Sequence, residues 1–167
     1  YLGGAPFVGD RVFGLEPGEL GLYFGAPAIG YMMGNFVSGR FSVRIGVNRM
    51  VLWGTLFNAT GISLNLAVFY AGQGSPISFF GLMILMGLGN GMVIPNATAG
   101  ALSVRPHLAG TASGLAGALM IGGGAALSAL AAFPLLWIML STGILAIGAI
   151  LFVMWRETRI ILPTDFT

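Results

Sequence analysis

The stretch "PNATAGALSVRPHLAGTASG", residues 95–114, sets one polar triplet, Arg105-Pro106-His107, between two runs of Gly, Ala, Ser and Thr. No charged residue precedes Arg105 back to Arg49, and none follows it before Arg156. Two charge-free segments joined by a tight basic turn read as a pair of membrane-crossing helices. A spanning helix needs about 20 mostly apolar residues, because the hydrocarbon core is about 30 Å thick. Working outward from the turn, five stretches reach that length: 20–37, 50–71, 77–103, 108–130 and 135–155. Residues 1–8 read as the tail of a further span, and the chain as part of something longer. The third stretch is long for one crossing, so tilt or a bend is expected at Pro95, whose ring removes a backbone donor. Pro27 is the matching candidate in the first. No segment alternates with the period of barrel strands. The expected fold is an all-α polytopic membrane bundle in a single domain.

Composition points the same way. Hydrophobic residues make up 56% of the chain and charged residues only 7%, against about 25% charged in soluble domains. Such a chain cannot cover a water-facing surface. Its net charge of +2 comes from seven Arg, with no Lys, against five acids. That excess is a statement about topology rather than nucleic-acid binding. Without cysteine there are no disulfides, thiolate metal sites or cysteine nucleophiles.

The breaks between spans carry the charge. Arg40, Arg44 and Arg49 follow the first span, Arg105 and His107 the third, Arg156 and Arg159 the fifth. The alternate breaks, 72–76 and 131–134, carry none, and Arg11 is outweighed by Asp10, Glu16 and Glu19. Loops on the cytoplasmic side collect Arg and Lys, so the basic breaks and the 156–167 tail are expected inside and the N-terminal segment outside. Tyr23, Phe24, Tyr70, Phe79, Phe80 and Trp137 fall near outer ends, and Trp53 and Trp155 near inner ends, as an interfacial aromatic belt would have them.

Glycine is uneven. Gly21, Gly25, Gly30 and Gly34 occupy the first span, and Gly81, Gly87, Gly89, Gly91 and Gly100 the third. The fourth holds Gly110, Gly114, Gly117, Gly122, Gly123 and Gly124. The second and fifth have two each. Small residues let backbones approach where lipid gives no hydrophobic drive. The first, third and fourth spans are therefore expected at the centre, and the second and fifth at the periphery. With one span restored, the pattern gives two sets of three helices, each ending in a glycine-poor member, which is the footprint of a transporter repeat.

Several chemistries lack their parts. Gly87-x-Gly89-x-Gly91 has no preceding strand and no Gly-Lys-Ser/Thr, so it reads as helix packing rather than a phosphate loop. Ser113 has only His107, in a loop, as a candidate base, and a packing serine explains it better. One His, no Cys and no acid within a span make no metal site, and no cofactor is implied. Asn58-Ala-Thr60 and Asn96-Ala-Thr98 match the glycosylation sequon but lie inside spans. Intramembrane acids usually mark proton relays, and these spans hold none.

At this point the residues resemble a family. "GNFVSGRFSVRIGVNRM" (34–50) and "PNATAGALSVRPHLAGTASGLAGALMIGGGAALSAL" (95–130) resemble the C-terminal half of Bcr/CflA multidrug efflux transporters, within the major facilitator superfamily. "YLGGAPFVGDRVFGLEPGELGLYFG" (1–25) is similar to that family's outer connection between helices seven and eight. The first of these also resembles the superfamily's Gly-x-x-x-Asp-Arg-x-Gly-Arg-Arg loop. Gly34, Arg40, Gly46 and Arg49 fit and Arg44 adds charge, but Gly39 stands where an Asp is expected and extra residues separate Arg40 from Gly46.

The resemblance implies helices eight to twelve of a two-lobed carrier in the bacterial inner membrane, monomeric when whole. Such a carrier exports small amphipathic drugs in exchange for protons, its proton site lying in the other lobe. The triplet at residues 105–107 would be a cytoplasmic turn between two helices that pack closely yet slide. Carrier sites sit near the bilayer midplane, a depth that Tyr31, Asn90 and Met120 share. A ring with a polar end, an amide and a thioether suit varied ligands; the alternatives are packing for Tyr31 and Met120 and an interhelical hydrogen bond for Asn90. Pro27, Gly30, Pro95, Gly110, Gly114 and Gly122 to Gly124 would serve packing and bending. The competing reading is a non-transporting membrane scaffold or assembly subunit.

Overall fold

The computed structural model describes residues 4–104, 106–130 and 135–160. Six α-helices follow in order: α1 (Ala5–Arg11), α2 (Pro17–Ile45), α3 (Val47–Tyr70), α4 (Pro76–Val104), α5 (Ala109–Leu130) and α6 (Leu135–Ile160). A 3-10 turn, Pro106–Leu108, precedes α5. Arg105, residues 1–3, the 131–134 break, the tail beyond residue 160 and the side chain of Trp137 lie outside the described residues. Among the described residues all regular structure is helical, as a polytopic bundle requires. Three helical segments among the described residues are long and apolar enough to cross a membrane: Val47–Tyr70, Pro76–Ser103 and Met139–Arg156.

Local chemistry sets the helix ends. Pro17 opens α2, and the Glu19 carboxylate reaches back to accept the Glu16 backbone N–H at 3.4 Å. Ser75 and Ser78 open α4 reciprocally: the Ser78 N–H donates to Ser75 Oγ at 3.1 Å and the Ser75 N–H to Ser78 Oγ at 2.9 Å. Gly72, at φ 72°, closes α3, with the Gln73 N–H donating to the Val68 carbonyl at 3.2 Å. Between α2 and α3 stands a single residue, Gly46, at φ 91° and ψ 145°. Only glycine adopts that conformation without strain. The first apolar stretch thus continues as helix two turns past residue 37 before Gly46 ends it, and it carries Arg40 and Arg44 with it.

α4 is the spine. α2 runs parallel to it, with Gly30 against Ile84, Gly34 against Leu88 and Ser38 against Asn96. α3 runs antiparallel on another side, with Gly61 against Leu85, Gly54 against Gly89 and Val47 against Gly100. α6 packs on α3, and α5 touches α4 only lightly. This corrects one expectation. α3 has just two glycines, yet both sit on the α4 seam, so it is not peripheral to that helix. In α5, a Cβ added at Gly110, Gly114, Gly117, Gly122, Gly123 or Gly124 would meet no described atom within 4 Å. Glycine number alone does not rank helices by centrality, because what matters is whether the glycines face a neighbour.

At the end opposite Gly46, Phe79, Phe80, Met83, Met86 and Ala5 form a buried cluster flanked by Val8, Phe13, Leu20, Tyr23 and Phe24. Tyr23 stacks on Phe80 with centroids 5.4 Å apart, and Phe79 meets Phe80 edge-on at 5.0 Å. Phe79 and Phe80 are therefore core residues that pin α1 and α2 to the start of α4, not members of an interfacial belt. Tyr70, Trp53 and Trp155 do remain exposed.

Candidate functional site

The centre of the bundle is built by Gly87-x-Gly89-x-Gly91. Residues four apart share a helix face, while a residue two away lies nearly opposite. Gly87 and Gly91 accordingly face α2, where a Cβ would fall on the carbonyl oxygens of Pro27 and Tyr31. Gly89 faces α3, where a Cβ would fall on the Gly54 carbonyl and 2.6 Å from Asn58 Oδ1. Gly30 and Gly34 answer from α2 and Gly54 from α3, so backbone meets backbone along both seams. Pro27 is buried in the α2–α4 seam, while Pro95 lies inside α4 next to Asn96.

Hydrogen bonds cross the same seams at three levels. Asn58 Nδ2 donates to Asn90 Oδ1 at 3.0 Å between α3 and α4. Buried Asn65 Nδ2 donates to the Phe79 carbonyl at 2.8 Å. Buried Asn96 Nδ2 donates to Ser38 Oγ at 2.7 Å, joining α4 to α2, and to the Met92 carbonyl at 2.8 Å. Ser42 Oγ adds a bond to the Ser38 carbonyl at 2.6 Å. Asn58 and Asn96, both from Asn-Ala-Thr triplets, thus make interhelical bonds. Asn58, Asn65, Asn96 and Ser38 as partners in such bonds are the part of the site that sequence reasoning missed, while an interhelical bond at Asn90 was among its readings. The two repeated triplets were the available signal, since an amide inside a span needs a partner.

The three residues expected at mid-depth separate. Asn90 is spent on Asn58 across the α3–α4 seam. Tyr31 and Met120 stand 40% and 58% exposed on α2 and α5, helices that share no substantial packing. The structure therefore does not bring the three together into one pocket. Of the loop residues, Gly34 lies in the α2–α4 seam, Gly46 is the one-residue connection between α2 and α3, and Arg40, Arg44 and Arg49 are exposed.

Asn58 Oδ1 is buried with no partner among the described residues. The pair is thus half-satisfied already, and Asn90→Ala would leave the Asn58 amide with nothing across the seam. Asn58→Ala and Asn90→Ala are each expected to cost about 0.6–1.7 kcal/mol, and the double variant less than their sum. A double-mutant cycle by reversible detergent unfolding checks this; strict additivity would show that the bond contributes nothing.

Charge is segregated. Asp10, Glu16 and Glu19 lie at the α1–α2 end, where Arg11 meets its neighbour Asp10 at 3.5 Å. Arg40, Arg44, Arg49 and Arg156 lie at the other end, and the middles of the long helices carry no Asp, Glu, Lys, Arg or His. What such a bundle offers chemically is close backbone packing, amide hydrogen bonds and polarizable apolar surface, without an acid–base pair.

Comparison with known proteins agrees with this architecture. The Major Facilitator Superfamily profile matches residues 5–163. An uncharacterized MFS-type transporter of Bacillus subtilis (strain 168), YdgK, is 30% identical over 156 residues, which is 92% of this chain and 36% of that protein. The chain thus spans about a third of the length of the curated relative it matches. No solved structure matches. A helical bundle of this kind, matched over nearly its whole length, belongs to the major facilitator superfamily.

Proposed function

We propose that the full-length protein is a drug-exporting carrier of the Bcr/CflA kind. It moves small amphipathic molecules out of the cytoplasm across the bacterial inner membrane in exchange for entering protons. This chain supplies helices eight to twelve of a monomeric twelve-helix carrier, with the basic end and the C-terminus inside. The observation that carries the reading is the superfamily match over residues 5–163 of a chain whose helix middles hold no charge. Recognition in this half then falls to rings, thioethers and amides, which suit amphipathic cargo better than sugars or organic anions. Exposed Tyr31, Met32 and Met33 on α2 and Met120 on α5 have that chemistry. Proton coupling falls to the rest of the protein, because intramembrane relays need acids that these helices lack.

Everted vesicles from cells expressing the full-length protein should accumulate a lipophilic cationic dye when energised, and a protonophore should abolish the accumulation. Tyr31→Ala and Met120→Ala should change resistance severalfold and unequally from drug to drug, at unchanged protein level. Asn90→Ala should instead weaken resistance to every drug alike, through the α3–α4 seam. Vesicles with no protonophore-sensitive transport of any amphipathic compound would favour the scaffold reading.

A further inference from the structure

Arg40 and Arg44 stand one turn apart on α2, and Arg49 lies in the first turn of α3, just past Gly46. All three are exposed, and none makes an ion pair among the described residues. Like charges four apart on a helix repel, and a cation in a helix's first turn opposes its dipole. The dipole of α2 favours Arg44 in its last turn, so what stays unfavourable is the Arg40–Arg44 repulsion and the cation of Arg49 at the start of α3. Asp10, Glu16 and Glu19 lie at the far end of the bundle, while Glu157 follows Arg156 in the last turns of α6. Loop anchoring by positive charge would explain basic residues here, but not the side chains between them. Phe41, Val43 and Ile45 alternate with the arginines and are exposed, Val43 at 95%, and Trp53 is exposed one turn further along α3. Guanidinium groups interleaved with exposed apolar side chains, where two helices leave the bilayer, match a lipid's phosphate above its acyl chains.

We infer that the α2–α3 corner binds the headgroup of an anionic phospholipid, with Arg40, Arg44 and Arg49 on the phosphates and Phe41, Val43 and Trp53 against the chains. Gly46 sets the site: a one-residue connection holds the last turn of α2 beside the first turn of α3, so that three arginines from two helices surround one headgroup. The inference holds whichever molecule the carrier moves and whichever leaflet this end faces.

The test uses the full-length protein carrying Trp53 as its single tryptophan, in nanodiscs. Brominated phosphatidylglycerol should quench Trp53 at a far lower mole fraction than brominated phosphatidylcholine. Arg44→Gln should weaken that preference roughly fivefold, the factor that corresponds to about 1 kcal/mol per basic residue at an anionic surface. The triple Arg40→Gln, Arg44→Gln, Arg49→Gln variant should abolish it. Unchanged quenching by phosphatidylcholine shows that each variant still inserts, and if the triple variant fails to insert, Arg44→Gln decides alone. Equal quenching of the unmodified site by the two lipids, or a preference that survives Arg44→Gln, would overturn the inference. So would displacement by millimolar glycerol phosphate, which would mark a site for soluble anions.

Discussion

Replacing Gly87 or Gly34 by alanine is expected to keep α2 and α4 from closing, with loss of folded protein. A Cβ at Gly87 would fall on the Pro27 carbonyl, and one at Gly34 on the Leu88 carbonyl. Both obstacles are backbone, so no rotamer change relieves them and the helices must separate along the whole seam. Overpacking in a core typically costs about 1–3 kcal/mol, and a clash with main chain belongs at or above the top of that range. The paired Gly91–Tyr31 and Asn96–Ser38 contacts would be lost with it. Gly81→Ala on the same helix is the control: its Cβ meets nothing within 4 Å, and alanine favours helix over glycine by about 1 kcal/mol. Size-exclusion profiles and thermal unfolding in detergent should show Gly87→Ala and Gly34→Ala aggregated or strongly destabilised and Gly81→Ala intact. Intact Gly87→Ala protein would mean that the seam is looser than the structure has it.

Gly46→Val should rank second. At φ 91° a β-branched residue is a steric outlier, and holding it there costs about 1–3 kcal/mol. Nothing lies within 4 Å of a Cβ at this position, so the cost is conformational and not a clash. Gly46→Asn should lose nearly as much, because at ψ 145° the residue lies outside the αL region that asparagine tolerates. If either variant keeps full stability, the turn does not depend on this backbone conformation.

The helices were legible because charge-free runs mark them without reference to the rest of the fold. Where each helix ends was not: α2 runs on past residue 37 to Gly46, because Arg40 and Arg44 take a helix out of hydrocarbon without stopping it. Which face of a helix meets a neighbour was much harder to read. In a soluble bundle the buried face is the apolar one, but in lipid both faces are apolar and that signal fades. Hence Gly54 and Gly61 in α3 carried too little weight. Phe79 and Phe80 were placed at an interface for the same reason, since depth was readable and direction was not. Gly87, Gly89 and Gly91 were the exception. Their spacing puts Gly87 and Gly91 on the side opposite Gly89, and α2 and α3 pack on those two sides.

The parallel pair of α2 and α4 also has a mechanical consequence. Each helix has 29 residues, about 43 Å at 1.5 Å per residue. Their glycine contacts lie in the middle third, where they act as a fulcrum with long arms on either side. If the proposed carrier rocks, the two helices fused there would tilt as one beam, and a rocking of about 10° would swing each tip by roughly 4 Å in opposite directions. Opening at the aromatic end would then be geometrically the same event as closing at the arginine end, with no separate hinge required for either.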